Sequence, residues 1–194
     1  MKELFVNSAF KYVNKNNNFD HYNQVKIKYG LEVMYHFITK TFIILLLSII
    51  LHTFKTTICI MFFYSLLRIH VHGIHAKSNV LCWITSLSVY IFLGLIFNLI
   101  EFNYVSTTAT FFIELISIIL WAPADTPNRP LLNKSKRTTL KIKSLLVSMF
   151  EIIIFMLFKN LRKVILLSFL ITTVIINPFI YKITKTTFNN YRFN

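Results

Sequence analysis

The chain has 194 residues, 55% of them hydrophobic, with 20 Phe, 9 Tyr and only 3 Gly. A soluble domain of this length cannot hide that much apolar surface, so the bilayer has to act as part of the solvent. The net charge is +14, from 21 Lys and Arg against 7 Asp and Glu; because the basic residues lie between apolar runs, they point to anionic lipid headgroups and cytoplasmic loops and argue against a nucleic-acid partner.

Residues 1–40 are too polar to cross a membrane. Phe5, Ala9 and Tyr12 recur at helical spacing before a polar break at 14–18, and Ile27, Leu31, Met34, Tyr35 and Ile38 do so after it. Lys2, Lys11, Lys15, Lys26, Lys28 and Lys40 flank the stripes, as suits helices lying in the interface. The alternative is that the second stripe packs on neighbouring spans. No compact apolar core precedes residue 42, so insertion through internal segments is expected.

Residues 42–54 and 58–67 are apolar but short, with Lys55 between them. A crossing needs about 20 apolar residues. The stretch 42–67 therefore reads as one long tilted helix with an internal cation or as a short apolar hairpin. Residues 83–100, opened by Trp83, and 104–122, with Glu114 inside and Trp121 near the end, are long enough to cross. Pro123, Pro127 and Pro130 exclude a helix in the next segment, and Arg129, Lys134, Lys136, Arg137, Lys141 and Lys143 follow. An apolar run at 145–158 carries Glu151, Lys159, Arg162 and Lys163 make a basic break, and 164–181 is the last apolar segment. The expected fold class is all-α: a polytopic integral membrane protein with about four to six transmembrane or re-entrant helices plus N-terminal amphipathic interfacial helices. It forms a single membrane-embedded domain over 1–194.

Residues 1–40 and 123–143 carry six Lys or Arg each and the turn 101–103 carries none. The positive-inside rule places the N-terminus, 68–82 and 123–143 on the cytoplasmic side. That favours the hairpin in 42–67 and suggests that 145–163 lies shallow or re-enters.

Chemistry concentrates in 68–82, Arg-Ile-His-Val-His-Gly-Ile-His-Ala-Lys-Ser-Asn-Val-Leu-Cys, which holds three of the six histidines and one of the two cysteines. Cys59 lies in an apolar run and reads as a small buried hydrophobe. On one continuous helix His75 and Cys82 would face the same way but stand about 10.5 Å apart along the axis. A working pair needs the chain to fold back, and Lys77-Ser78-Asn79 supplies the turn. With Ser78 or Asn79 as N-cap, Cys82 falls in or just beyond the first helical turn, where exposed amides and the helix dipole favour a thiolate. His75 can then act as general base or ion-pair partner, and Gly73 allows close backbone approach.

Two other readings stay open on the residues alone. His70, His72, His75 and Cys82 are zinc-compatible ligands, although the His-x-His-x-x-His spacing matches no common structural site. In the other, the cysteine is a packing residue and the histidines are polar tips at the interface. Glu114 and Glu151 line a pathway or proton relay, or else pair with lysines or face a bundle interior.

The segment Gly73-Ile-His-Ala-Lys-Ser-Asn-Val-Leu-Cys-Trp83 resembles the active-site segment of the accessory gene regulator B (AgrB) family of membrane cysteine peptidases, the staphylococcal members above all. Tyr29-Gly-Leu-Glu32 upstream and Ala-Pro-Ala-Asp-Thr-Pro-Asn-Arg-Pro at 122–130 continue the resemblance. One departure is His72-Gly73, where many relatives have Gly-Gly. The resemblance implies a multi-pass enzyme of the bacterial cell membrane, active on the cytoplasmic side, that uses no cofactor and no metal. Its substrate would be an AgrD-type propeptide, cut near its C-terminus in quorum-sensing signal production and virulence regulation. Cys82 would be the nucleophile and His75 its base, with a peptidyl thioester passed to a thiolactone or lactone ring.

The resemblance also implies a homodimer, and a propeptide with an amphipathic leader and an acidic tail. Arg129, Lys134, Lys136 and Arg137 are therefore expected to hold that tail, the alternative being that they only fix topology. Asp125 is a weaker candidate for orienting His75. The contrasting function is a non-catalytic membrane peptide exporter or scaffold.

Overall fold

The computed structural model describes residues 2–14, 19–74, 78–126 and 131–186. Eight α-helices, one 3-10 turn and no strand occur among them. The chain divides into two compact units, 1–50 and 51–194.

The first unit is α1 (Lys2–Asn14) packed on α2 (His21–Ile50). Lys2 pairs with Glu32 at 3.5 Å, the Phe5 and Tyr35 rings meet at 5.4 Å, and the Lys28 ammonium lies 4.7 Å from the Phe10 ring centre. Phe5 and Tyr35 thus use the expected stripes, whereas Tyr12 is exposed. The boundary expected near residue 41 is absent, because α2 runs unbroken for 30 residues, about 45 Å. No proline or glycine interrupts 39–42, and the Thr39 hydroxyl donates back to the Tyr35 carbonyl at 2.7 Å within the helix. The break falls instead at 51–53, where His52 has φ +55°. Residues 42–67 are therefore neither one helix nor a pair of short segments.

The second unit comprises α3 (Phe54–Val71), α4 (Asn79–Ile96), α5 (Tyr104–Trp121), α6 (Lys134–Leu157), a 3-10 turn (Lys159–Leu161), α7 (Arg162–Ile176) and α8 (Pro178–Ile183). Ile60, Phe63, Leu67 and Val71 make the buried stripe of α3 at steps of three and four. They pack on α7, whose residues Val164, Ile165, Leu166, Leu167 and Phe169 are buried all round. α7 is the central element, flanked by α3, α5 and α6. By length and composition, α2, α3 and α5 can each cross a membrane.

One end of this unit gathers the C-termini of α3, α5 and α7 and the N-terminus of α6. At the other end Lys163 donates to the Phe97 carbonyl at 3.2 Å, and Arg162 donates to the carbonyls of Phe155 at 3.1 Å and Met156 at 3.4 Å. The basic break is thus used to satisfy the carbonyls left over where α4 and α6 finish. Between these ends α6 is one continuous helix of 24 residues.

Candidate active site

The site is built where α3 ends. His72 closes that helix with φ +61° and ψ −128°, and Gly73 follows at φ +107°. These reversed angles turn 72–74 away from the helix axis and lay it beside Ala124. Ala124 donates its N–H to the Val71 carbonyl at 2.9 Å and accepts from the Gly73 N–H at 2.8 Å, forming one parallel bridge. On the other side the Ile74 N–H donates to the Ile175 carbonyl at 3.0 Å.

Arg68, one turn before the end of α3, secures the carbonyls of the same segment. Its Nη1 donates to the His72 carbonyl, and its Nη2 donates to those of Gly73 at 3.4 Å and Ile74 at 2.6 Å. A guanidinium suits this task because its donors leave one plane in a fixed fork. A Cβ on Gly73 would lie 2.6 Å from Arg68 Nη1 and 2.9 Å from the Ile175 carbonyl oxygen. Only glycine fits there.

Ala124 is itself held from behind. Residues 122–126 are buried, the Ala122–Pro123 bond is cis, and the Tyr181 hydroxyl donates to the Ala124 carbonyl at 3.4 Å. Burial pushes the Tyr181 phenol up from its ordinary range; Arg68 draws it down and Asp125 adds to the rise. Asp125 is paired with Arg137 at 3.3 Å, the two side chains retaining 2% and 6% of their exposure. Arg137 also reaches the Leu131 carbonyl at 3.5 Å.

His75 lies outside the described residues, as does Arg129. Ser78 is extended and caps α4: its Oγ accepts from the Leu81 N–H at 3.2 Å. Asn79 is the first helical residue, so Ser78 fills the cap position of the expected pair. Cys82 is the fourth residue of α4, half-buried, with its own N–H bonded to the Ser78 carbonyl at 3.0 Å. The Thr85 hydroxyl turns back to the carbonyls of Leu81 at 2.9 Å and Cys82 at 3.3 Å. Tyr64 on α3 comes within electrostatic reach of both Arg68 and Cys82, and its ring packs on Tyr90 of α4 at 6.0 Å.

The family model of accessory gene regulator B matches residues 6–183. The chain belongs to that family. It is 33% identical over 146 residues to an accessory gene regulator protein B of Staphylococcus aureus (strain bovine RF122 / ET3-1), covering 74% of this chain and 78% of the relative. It is 29% identical over 174 residues to a putative AgrB-like protein of Listeria welshimeri serovar 6b, covering 89% of this chain and 85% of the relative. An accessory gene regulator protein B of Staphylococcus epidermidis is 35% identical over 121 residues, 62% of each chain. No solved structure matches.

In this member of the accessory gene regulator B family, the structure separates the candidate site residues. Gly73 and Ser78 sit on either side of the three-residue link 75–77, and Cys82 follows one turn into α4. The His70 ring bonds the Leu66 carbonyl on its own helix at 3.1 Å. Lys134 and Lys136 are exposed in the first turn of α6, behind the Asn133 cap. Arg137 departs from the expected basic surface: it is buried, because Asp125 and the Leu131 carbonyl draw its guanidinium inward. Arg68 and Tyr64 carry no signal in the His–Cys spacing. The one available cue is that Arg68, a cation closing an apolar run, needs acceptors, and helix-end carbonyls supply them.

Proposed function

We propose that this member of the accessory gene regulator B family is a membrane cysteine endopeptidase acting in quorum-sensing signal production. It cleaves an AgrD-type propeptide near its C-terminus and closes the released segment into a ring. The observation that carries this reading is the placement of Cys82 one turn into a capped helix. Its cap, Ser78, follows a three-residue link after a segment whose carbonyls all bond Arg68. Ile74 and Ser78, the residues on either side of His75's link, are thus both hydrogen-bonded.

The chemistry follows from the two side chains. His75 takes the Cys82 proton, and the Cys82 Sγ attacks the scissile carbonyl. As the C–N bond breaks, His75 passes that proton to the leaving amine, and an acyl thioester remains on Cys82. A cysteine thiol within the propeptide then attacks the same carbonyl, giving its proton to Cys82 as the thiolate leaves. The products are a thiolactone, or a lactone where serine attacks, and the C-terminal fragment. No water is consumed, so a site that excludes water favours cyclisation over hydrolysis.

Lys134 and Lys136 support capture of the acidic tail. Cations in the first turn of a helix oppose its dipole, so a bound carboxylate there relieves an unfavourable arrangement. Arg129 belongs to the same proposed surface by sequence; Arg137 is left out of it. The enzyme would work as a homodimer in an anionic bilayer, with this end facing the cytoplasm.

Coexpression with the propeptide tests the reading. Wild type should release the cyclic product, while Cys82→Ala and His75→Ala should leave the propeptide intact. Cleavage retained in Cys82→Ala would leave only an exporter or scaffold.

A further inference from the structure

The segment leading to His75 rests on Ala124, and Ala124 is held in turn by two other elements. Residues 122–126, which follow α5, are buried. Within them Ala124 donates to the Val71 carbonyl at 2.9 Å and accepts from the Gly73 N–H at 2.8 Å. Only Ile74 separates Gly73 from His75. A shift of Ala124 is therefore passed along this bridge to the last residues before the general base.

Asp125, the covalent neighbour of Ala124, pairs with Arg137 at 3.3 Å, and the same guanidinium donates to the Leu131 carbonyl at 3.5 Å. Arg137 is the fourth residue of α6, a continuous helix of 24 residues packed on α3, α5 and α7. The pair thus refers the 122–126 segment to a rigid frame. From α8, the Tyr181 hydroxyl donates to the Ala124 carbonyl at 3.4 Å, the same oxygen that accepts from Gly73.

Stability alone does not account for an ion pair in this place. Taking two charges out of water is expensive, and well-packed apolar side chains of similar volume often stabilise a buried site as well or better. What the pair adds is direction. Charged groups are satisfied over a narrow range of geometry, whereas apolar contacts tolerate repacking. The geometry selected here is the one that lays Ala124 against Gly73. We propose that Asp125, Arg137 and Tyr181 are positioning residues for His75, acting through Ala124. The inference rests on the reading of His75 as the base that serves Cys82. A misplacement of about 1 Å at a reacting group costs on the order of 100-fold in rate, so the loss should fall on kcat and not on propeptide binding.

The test uses the full chain in lipid nanodiscs with an acidic-tailed propeptide, following kcat, KM and Tm together. Asp125→Leu combined with Arg137→Met exchanges the pair for apolar side chains. Tm should stay within a few degrees of wild type, while kcat falls about 10- to 100-fold at nearly constant KM. Tyr181→Phe removes one oxygen and keeps the ring. It should lower kcat several-fold, and it tests the same support even if the double variant fails to fold. Iodoacetamide alkylation of Cys82 supplies a readout that a merely structural role would not move. His75→Ala should slow it in the wild-type background and change it little in either variant background. Wild-type kcat in a folded variant would overturn the proposal, as would a His75→Ala effect of the same size in every background. Cleavage that persists in Cys82→Ala would overturn the endopeptidase reading together with this one. Cleavage lost in Cys82→Ala, with wild-type kcat in the support variants, would overturn this one alone.

Discussion

The Arg68 guanidinium donates to the Ile74 carbonyl at 2.6 Å, and Ile74 is the residue immediately before His75. The same side chain reaches the His72 and Gly73 carbonyls, so one planar group sets the direction in which the chain leaves α3. Lysine keeps the charge and loses the fork. Arg68→Lys is therefore expected to lower kcat for cleavage about 10- to 100-fold, with KM nearly unchanged. An unaltered kcat would mean that the approach to His75 is set by other contacts.

The two reversed residues respond in opposite senses. His72 holds φ +61°, a region glycine enters freely. His72→Gly should stabilise the protein by about 1 kcal/mol, raising Tm by about 2–4 °C, with cleavage retained. Gly73→Ala meets Arg68 Nη1 and the Ile175 carbonyl and should abolish cleavage. Thermal melts and cleavage assays on the two variants check both signs.

Breaking the Asp125–Arg137 pair takes from a buried charge its counter-charge at 3.3 Å. Asp125→Asn or Arg137→Gln should each cost about 3–5 kcal/mol, measured by unfolding. Replacing both by apolar residues of similar volume should cost less than either single change. A double variant as unstable as the sum of the singles would contradict a direct interaction.

Ser78→Ala removes the oxygen that accepts from Leu81 and should cost about 1 kcal/mol at the start of α4. Because Cys82 lies in this first stretch of helix, its alkylation by iodoacetamide should slow as well. Ser78→Asp should restore both. Alkylation that is indifferent to Ser78 and to His75→Ala would argue that neither prepares the thiol.

Lys134 and Lys136 can be tested through salt. Wild-type cleavage of an acidic-tailed propeptide should weaken as NaCl rises, since exposed charges are screened over about 10 Å at 0.1 M. Lys134→Gln with Lys136→Gln should raise KM and flatten that dependence. The same KM and salt slope in both proteins would reduce these lysines to topology signals.

Much of the arrangement can be read from the chain because it depends on local chemistry. The Ser78 cap follows from side-chain preference, and the α3 stripe follows from steps of three and four apolar residues. The α2 boundary was not legible, since a helix passes without a break from polar to apolar composition when no proline, glycine or cap stops it. Arg137 looked like its neighbours Lys134 and Lys136 because charge alone does not show direction; the partner that turns it inward sits twelve residues earlier. Arg68 gives no stronger cue for the same reason, its acceptors being carbonyls set free by the reversed backbone at His72. Glu114 and Glu151 are visible as costly residues, but the α7 hydroxyls that bond them follow only from the packing of α5 and α6 on α7.

The peptidyl thioester on Cys82 is the most direct measure of the proposed chemistry. Enzyme mixed with a propeptide whose ring-closing cysteine is replaced by alanine cannot complete the exchange. Intact-mass and fragment analysis should then find the propeptide's N-terminal segment attached to Cys82 and released by hydroxylamine, and nothing attached in Cys82→Ala. Cleavage without any adduct on Cys82, or an adduct that persists in Cys82→Ala, would contradict the assignment.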